Sequence, residues 1–296
     1  MVALEGPVSV THFIRNLRGG SQPILAQASD GHQYVIKFAN NLQGRNLLFN
    51  EAIGSELYGA CQLPVSPWKP VLVTDQFLDQ NQACWMQTPE GQLRPEPGMC
   101  FGSRYLGEDS TRLFEVLPGN SFRRVRNLQD FWLAWMIDIC AGHTDNRQAI
   151  FEQQDDGYLK AFFIDHGNMF AGPNGDRRLQ FRASAYLDMR IYEQISVSSR
   201  MNMARSAFNL NVDRLWSKIN TLPQDWKTAS ALQSFATCLD TLANTRNVQG
   251  VLDTIVEFSR PTDWRECVDL QSARRPPASV LRPGIQGTGL RRIAVA

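Results

Sequence analysis

One stretch constrains this chain more than any other: LQDFWLAWMIDICAGH, residues 128–143, followed at once by TDNRQ. The first part is apolar around most of a helix's circumference, the pattern of a helix buried on all sides rather than laid on a surface. It is expected to end at Gly142. Asp145, Asn146, Arg147 and Gln148 follow directly, and such groups oppose folding unless they are exposed or paired. One reading is a plain polar loop in which Asp145 and Arg147 pair with each other; the other is a loop that carries chemistry.

Beyond that loop, QAIFEQQDDGYLKAFFIDHG reads as a β-hairpin with Asp155, Asp156 and Gly157 at its turn. Its second strand runs into Asp165, with Gly167 two places later. An acid at that sheet edge is either within reach of a bound Mg²⁺ or part of an ordinary strand-end turn. The hairpin folds Asp165 back toward Asp145, so the two acids are expected in one cleft.

The chain opens with three strand-like segments, Thr11 to Leu17, Pro23 to Ala28 and Tyr34 to Phe38, separated by RGGSQ and SDGH, which predicts an antiparallel sheet. After the polar break at 40–44, Leu48, Ala52, Ile53, Leu57, Tyr58 and Cys61 recur as one face of a helix that Pro64 and Pro67 stop. WKPVLVTDQFL and ACWMQT read as strands, and a Pro/Gly-rich segment ending at Tyr105 connects two lobes. From Asn127 onward helices dominate, interrupted at Pro223. The division expected is a sheet lobe at 1–107, a helical lobe at 108–258, and an Arg/Pro-rich flexible tail at 259–296 pinned at Trp264.

With 43% hydrophobic and 20% charged residues and a net charge of +1, the chain has no bulk attraction to nucleic acid or membrane. The basic groups FRRVR, DRR and SARR are separated and read as solvated faces, so no specific nucleic-acid binding is expected. The longest apolar runs are about half the roughly 20 residues that cross a bilayer. Six scattered cysteines and a start without a secretory layout predict a cytoplasmic protein with reduced thiols. Cys140 and His143 have a CxxH spacing but no second ligand pair accompanies them, so zinc is not expected.

Phosphoryl transfer from ATP requires close backbone donors, a cation on the phosphates, an acid that fixes the cation, a carboxylate for the acceptor hydroxyl, and a metal ligand. The chain supplies these types in order. A glycine turn at Gly19, Gly20 and Ser21 lets backbone N–H groups approach phosphate, although a simple hairpin turn explains it equally. Lys37 alternates with Tyr34 and Ile36 as an exposed strand lysine would. Glu51 and Glu56 compete as its partner, with Glu51 preferred. Asp145 and Asp165 complete the set.

Taken in order, RGGSQP, VIKF, FNEAIGSELYGACQLPVSP, FGSRYLG, HTDNRQAIF and FFIDHGNMFAGP resemble the HipA-like kinase family, itself distantly similar to protein and lipid kinases, over about residues 10 to 260. The resemblance implies an α+β, two-lobed protein-kinase-like fold with an antiparallel β-sheet N-lobe and a mainly helical C-lobe. It also implies ATP and Mg²⁺ as ligands and a hydroxyl acceptor on a protein. In that picture Gly19, Gly20 and Ser21 lie by the phosphates, Lys37 contacts them and Glu51 orients the lysine. Asp145 is the catalytic carboxylate, Asp165 holds the metal, and GSRYLG lies near the adenine.

Two departures stand out. Such kinases carry an asparagine about five residues after the catalytic aspartate; here that position is Ile150, leaving Gln148 as the candidate metal ligand and Asn146 as a less convenient one. His166, whose charge would vary near neutral pH, replaces the usual aromatic residue after the metal aspartate. These leave open a pseudokinase that acts as a nucleotide- or partner-binding scaffold, and an acceptor that is a small aminoglycoside or sugar.

Overall fold

The computed structural model describes residues 7–108, 112–175, 184–193, 210–243 and 250. The expected tail with Trp264, and the basic groups DRR and SARR, lie outside the described residues.

Strands β1 (Val10–Asn16), β2 (Ile24–Ala28) and β3 (Gln33–Lys37) form as the alternation predicts. Helix α1 (Leu47–Ala60) follows, then β4 (Trp68–Val73) and α2 (Asp75–Gln80). The segment TDQFL, expected to extend a strand, is helical instead. The Thr74 hydroxyl accepts the Phe77 N–H at 3.1 Å and Asp75 stands in the first turn, a helix-start arrangement that satisfies an otherwise orphan donor.

A small ribbon of β5 (Met86–Thr88) and β6 (Gly91–Leu93) leads to β7 (Gly98–Arg104). The main sheet is antiparallel with order β1-β2-β3-β7-β4. It curls until the Leu72 N–H donates to the Val8 carbonyl at 2.8 Å. Inside the curl, Val10, Ile24, Ile36, Val71 and Cys100 pack with Phe77 and Leu78 of α2 as one core.

The second, larger core contains α3 (Asp130–Cys140) and a sheet of order β10-β9-β8, with β8 at Leu113–Phe114, β9 at Gln148–Gln153 and β10 at Leu159–Ile164. Helices α4 (Arg190–Glu193), α5 (Val212–Thr221) and α6 (Ala229–Ala243) complete the described part. Helix α1 belongs to this larger core and packs against β4, β7 and α5. Enclosed on several sides, it buries not one face but nearly its whole circumference, Asn50, Glu51 and Ser55 included.

Helix α3 is buried from Phe131 to Cys140, as its composition predicts. It ends where Gly142 takes a φ of +62°, with Gly142 N–H on the Ile139 carbonyl at 3.1 Å and His143 N–H on the Asp138 carbonyl at 2.8 Å. That pair of bonds closes a helix through a left-handed residue, a position glycine takes without a Cβ clash. The β9–β10 hairpin pairs Gln148 with Ile164 and Gln153 with Leu159. Of the FRRVR cations, Arg124 donates to the Gly157 carbonyl and Arg126 pairs with Asp156, so these arginines hold the hairpin turn.

Candidate active site

A cleft of about 1120 Å³ lies between the two cores, lined by Gly19, Ser21, Val35 and Lys37 from the β1–β3 region and by Ser103, Arg104 and Tyr105 at the end of β7. Asp145, Gln148, Ile150, Ile164 and Asp165 line it from the loop after α3 and from the hairpin. The sequence's first and last candidates therefore meet in one space.

Along β3, Tyr34 and Ile36 enter the smaller core while Val35 and Lys37 face the cleft. Lys37 is not the solvated strand lysine that the alternation allowed: it is only 7% exposed. Its ammonium pairs with Glu51 and, at 2.8 Å, with Asp165. Glu56 lies five positions on, about 140° around the helix from Glu51, and there it accepts the Trp68 indole N–H at 3.1 Å and pairs with Lys218. Helix phase thus decides between the two glutamates.

Burial works against the charge on Lys37, but Asp165 and Glu51 outweigh it and raise its pKa above the ordinary lysine value. Burial likewise opposes ionisation of Asp165, yet the Lys37 ammonium holds that carboxyl below the usual carboxylate range. For Glu51, burial pushes the carboxyl up while Lys37 opposes the shift. One cation is shared by two acids, and the more exposed Asp165 is the more firmly ionised of the pair.

Glu51 also accepts backbone N–H bonds from His166 at 3.2 Å and Gly167 at 2.8 Å. A Cβ on Gly167 would stand 2.4 Å from Leu47 Cδ1 and 2.8 Å from Glu51 Oε1, so only glycine lets the turn approach α1 this closely. The neighbouring Asn50 donates its amide to the carbonyls of Gly167 at 2.9 Å and Met169 at 2.8 Å. Two consecutive residues of α1 therefore grip the turn behind Asp165.

In the loop between α3 and β9, Asp145 is exposed to the cleft and its carboxylate accepts the Asn146 N–H at 2.8 Å. It does not pair with Arg147. The Arg147 side chain is 1% exposed and forks onto the buried Asp138 of α3. Asp138, an acid inside the apolar run FWLAWMIDIC, is the signal for this pair, since a buried carboxylate requires a partner.

The Gln148 side-chain amide donates to Asp165 Oδ2 at 2.8 Å, whereas Asn146 turns its amide to the Ala185 carbonyl at 3.3 Å. Of the two amides, Gln148 is the one beside the metal candidate. A hard cation such as Mg²⁺ is commonly held by one or two protein oxygens plus phosphate, and the Asp165 carboxylate with the Gln148 amide oxygen, rotated inward, fits that requirement. Among the described residues no group of three or more His, Cys, Asp or Glu is placed to hold a metal, and no helix is long and apolar enough to cross a membrane.

His166 is not a variable charge near neutral pH. It is buried, and burial together with the Arg147 guanidinium holds it well below its ordinary value. In the glycine turn, Gly19 (φ +139°) and Ser21 line the cleft, but Gly20 backs onto Gln43, whose Nε2 would lie 2.7 Å from an added Cβ. Arg15 and Arg18, which sequence reasoning passed over, also line the cleft beside this turn.

Residues 10–255 match the HipA-like kinase family. Among solved structures, the proinflammatory kinase CtkA of Helicobacter pylori is 11% identical with a TM-score of 0.53, over 86% of this chain and 97% of that one. Fam20 of hydra, solved with sugar, is 11% identical with a TM-score of 0.51, over 83% and 86%. At this identity the likeness is one of fold, and the α+β kinase-like architecture expected from the sequence is what the chain adopts. No curated protein matches the chain at a significant level.

Proposed function

This chain belongs to the HipA-like kinase family, and we propose that it transfers the γ-phosphoryl group of ATP, with Mg²⁺ bound, to a serine or threonine hydroxyl of a protein. The observation that carries this reading is the convergence of Lys37, Glu51, Asp145, Gln148 and Asp165 on one cleft. Val35, Phe101 and Ile150 offer apolar surface there for a purine.

Asp165 and Gln148 would hold the metal, which would neutralise phosphate charge. The chain's own residues do the rest. Lys37 turns its ammonium from Asp165 to the phosphates while Glu51 keeps its position, and backbone groups of the 19–21 turn approach the phosphate oxygens. Asp145, exposed at the cleft, accepts the hydrogen of the incoming hydroxyl and orients its oxygen for attack. Most of the rate then comes from positioning and fixed charge.

Incubation of the purified chain with labelled ATP and Mg²⁺ should label a protein, either itself or a target in a cell extract. Asp145→Asn should reduce transfer by about 10²–10⁴-fold with nucleotide binding retained, and Asp165→Asn should abolish transfer and weaken Mg²⁺-dependent binding. No transfer to any protein would sink the reading.

Ile150 favours a second reading. Its side chain has no oxygen for a metal and it lines the cleft, so a scaffold that holds nucleotide without transferring phosphate is the alternative. In that case partner affinity should survive both substitutions.

A further inference from the structure

A buried side chain next to Asp145 reaches the turn that bears Asp165, as does His143, whose ring nitrogens lie 2.6 Å from the Asp145 carbonyl and 3.5 Å from the Asp165 carbonyl. Arg147 follows Asp145 by two positions, yet its side chain points into the core. Its Nε and Nη2 donate to the two oxygens of Asp138 at 2.8 and 2.6 Å. Asp138 also accepts the Tyr58 hydroxyl at 2.7 Å, and the guanidinium lies 4.8 Å from the centre of the Tyr58 ring. This fork fixes the direction of the remaining nitrogen.

That nitrogen, Nη1, leaves the core and reaches the metal turn. It donates to the Ile164 carbonyl at 2.8 Å, lies 3.3 Å from the Asp165 carbonyl, and faces His166 Nδ1 at 3.3 Å. Ile164 is the last residue of β10, and Asp165 has a φ of +60°, the left-handed region that a residue with a Cβ occupies only when its surroundings hold it there. Glu51 and Asn50 grip the turn from the side of α1 through residues 166–169; Arg147 holds 164–166 from the side of α3.

We propose that Arg147 is a positioning residue for Asp165: its fork on Asp138 aims one guanidinium nitrogen at the carbonyls of residues 164 and 165 and so sets the metal-binding carboxylate facing the cleft. The inference rests on the reading of Asp165 as the metal ligand. The planar guanidinium takes both oxygens of Asp138 on one edge while its remaining nitrogen reaches the turn carbonyls; a lysine ammonium gathers its donors at one atom and lacks that fixed, spread geometry.

Arg147→Lys keeps a cation beside Asp138 while releasing the turn, so it separates positioning from core charge balance. Hydrogen exchange of the nucleotide-free and metal-free chain should show the peptide covering 165–168 exchanging at least tenfold faster, with α5 and α6 unchanged. The Mg²⁺ concentration that half-saturates ATP binding should also rise about tenfold, with full binding restored at high Mg²⁺.

Wild-type exchange at 165–168 in the folded variant, or equal acceleration of every peptide, overturns the proposal. If Arg147→Lys does not fold, Asp138→Asn, which keeps Arg147 but weakens the fork that aims it, is read by the same two criteria. Because the exchange is measured without ligands, a wild-type chain that binds no ATP with Mg²⁺ would remove the kinase reading separately from this one.

Discussion

Replacing Lys37 by methionine tests the charge arrangement at the centre of the site. In the wild type one ammonium contacts both Glu51 and Asp165, whose side chains are 3% and 24% exposed. The substitution keeps most of the aliphatic stem and leaves two carboxylates with no cation between them. Breaking a buried pair by removing one partner costs about 3–5 kcal/mol. Asp165 is partly open to the cleft, and Glu51 keeps the N–H groups of His166 and Gly167, so the lower end, about 3 kcal/mol, is expected at pH 7.

The pH dependence gives the sharper check. In the wild type the depressed Asp165 pKa contributes stability that is present above the ordinary carboxylate pKa and lost only as pH falls below it toward the folded value. Between pH 7 and 4 the wild type therefore keeps that contribution. In the variant the two acids repel each other in a buried site, so one takes up a proton above the ordinary range. This uptake stabilises the folded variant as pH falls, and the gap should narrow by about 1 kcal/mol or more between pH 7 and 4. Adding Glu51→Gln to the variant should recover part of the loss. Urea denaturation at both pH values measures the gap; a deficit under about 1 kcal/mol at pH 7, or one that does not change with pH, would refute the reasoning.

Gly54→Ala should destabilise the chain by about 1–2 kcal/mol, because the added Cβ would meet His166 Cβ at 2.5 Å and Met169 Sδ at 2.7 Å, and overpacking exceeds alanine's gain in helix propensity. Thermal denaturation reads the loss, and a variant as stable as the wild type would show that α1 and the turn at 165–169 are not tightly packed. His166, held neutral by burial and Arg147, makes folding less favourable in acid: the unfolded chain binds a proton that the folded one refuses, so stability present above the ordinary histidine pKa is lost as pH falls below it. The contribution approaches about 1.4 kcal/mol per pH unit, and His166→Gln should flatten the stability profile between pH 7 and 5; an unchanged slope would count against a neutral His166.

Much of the site's composition was legible because its signals are local. The apolar helix ending at Gly142, the polar loop after it and the hairpin returning to Asp165 each follow from periodicity and turn residues within about twenty positions. What the sequence left wrong or open was also local in origin. TDQFL reads as a strand because its helix start depends on the Thr74 side chain, and strand alternation alone leaves Lys37 open between a solvated lysine and a site lysine, because it cannot say whether the opposite face meets water or protein. Asn50 gave no signal at all, since its partners are carbonyls 117 and 119 positions away.

By itself, then, the amino-acid order determined which elements form, in what succession, and which residue types stand at their ends, since those depend on steric and hydrophobic patterns along the chain. Only the folded arrangement decided which charges meet: Lys37 with an acid 128 positions later, Glu51 rather than Glu56, and Arg147 with Asp138 rather than Asp145. The reason is that electrostatic and hydrogen-bond partners are chosen by distance in space and by the exclusion of water, and both are properties of packing between elements that no single element contains.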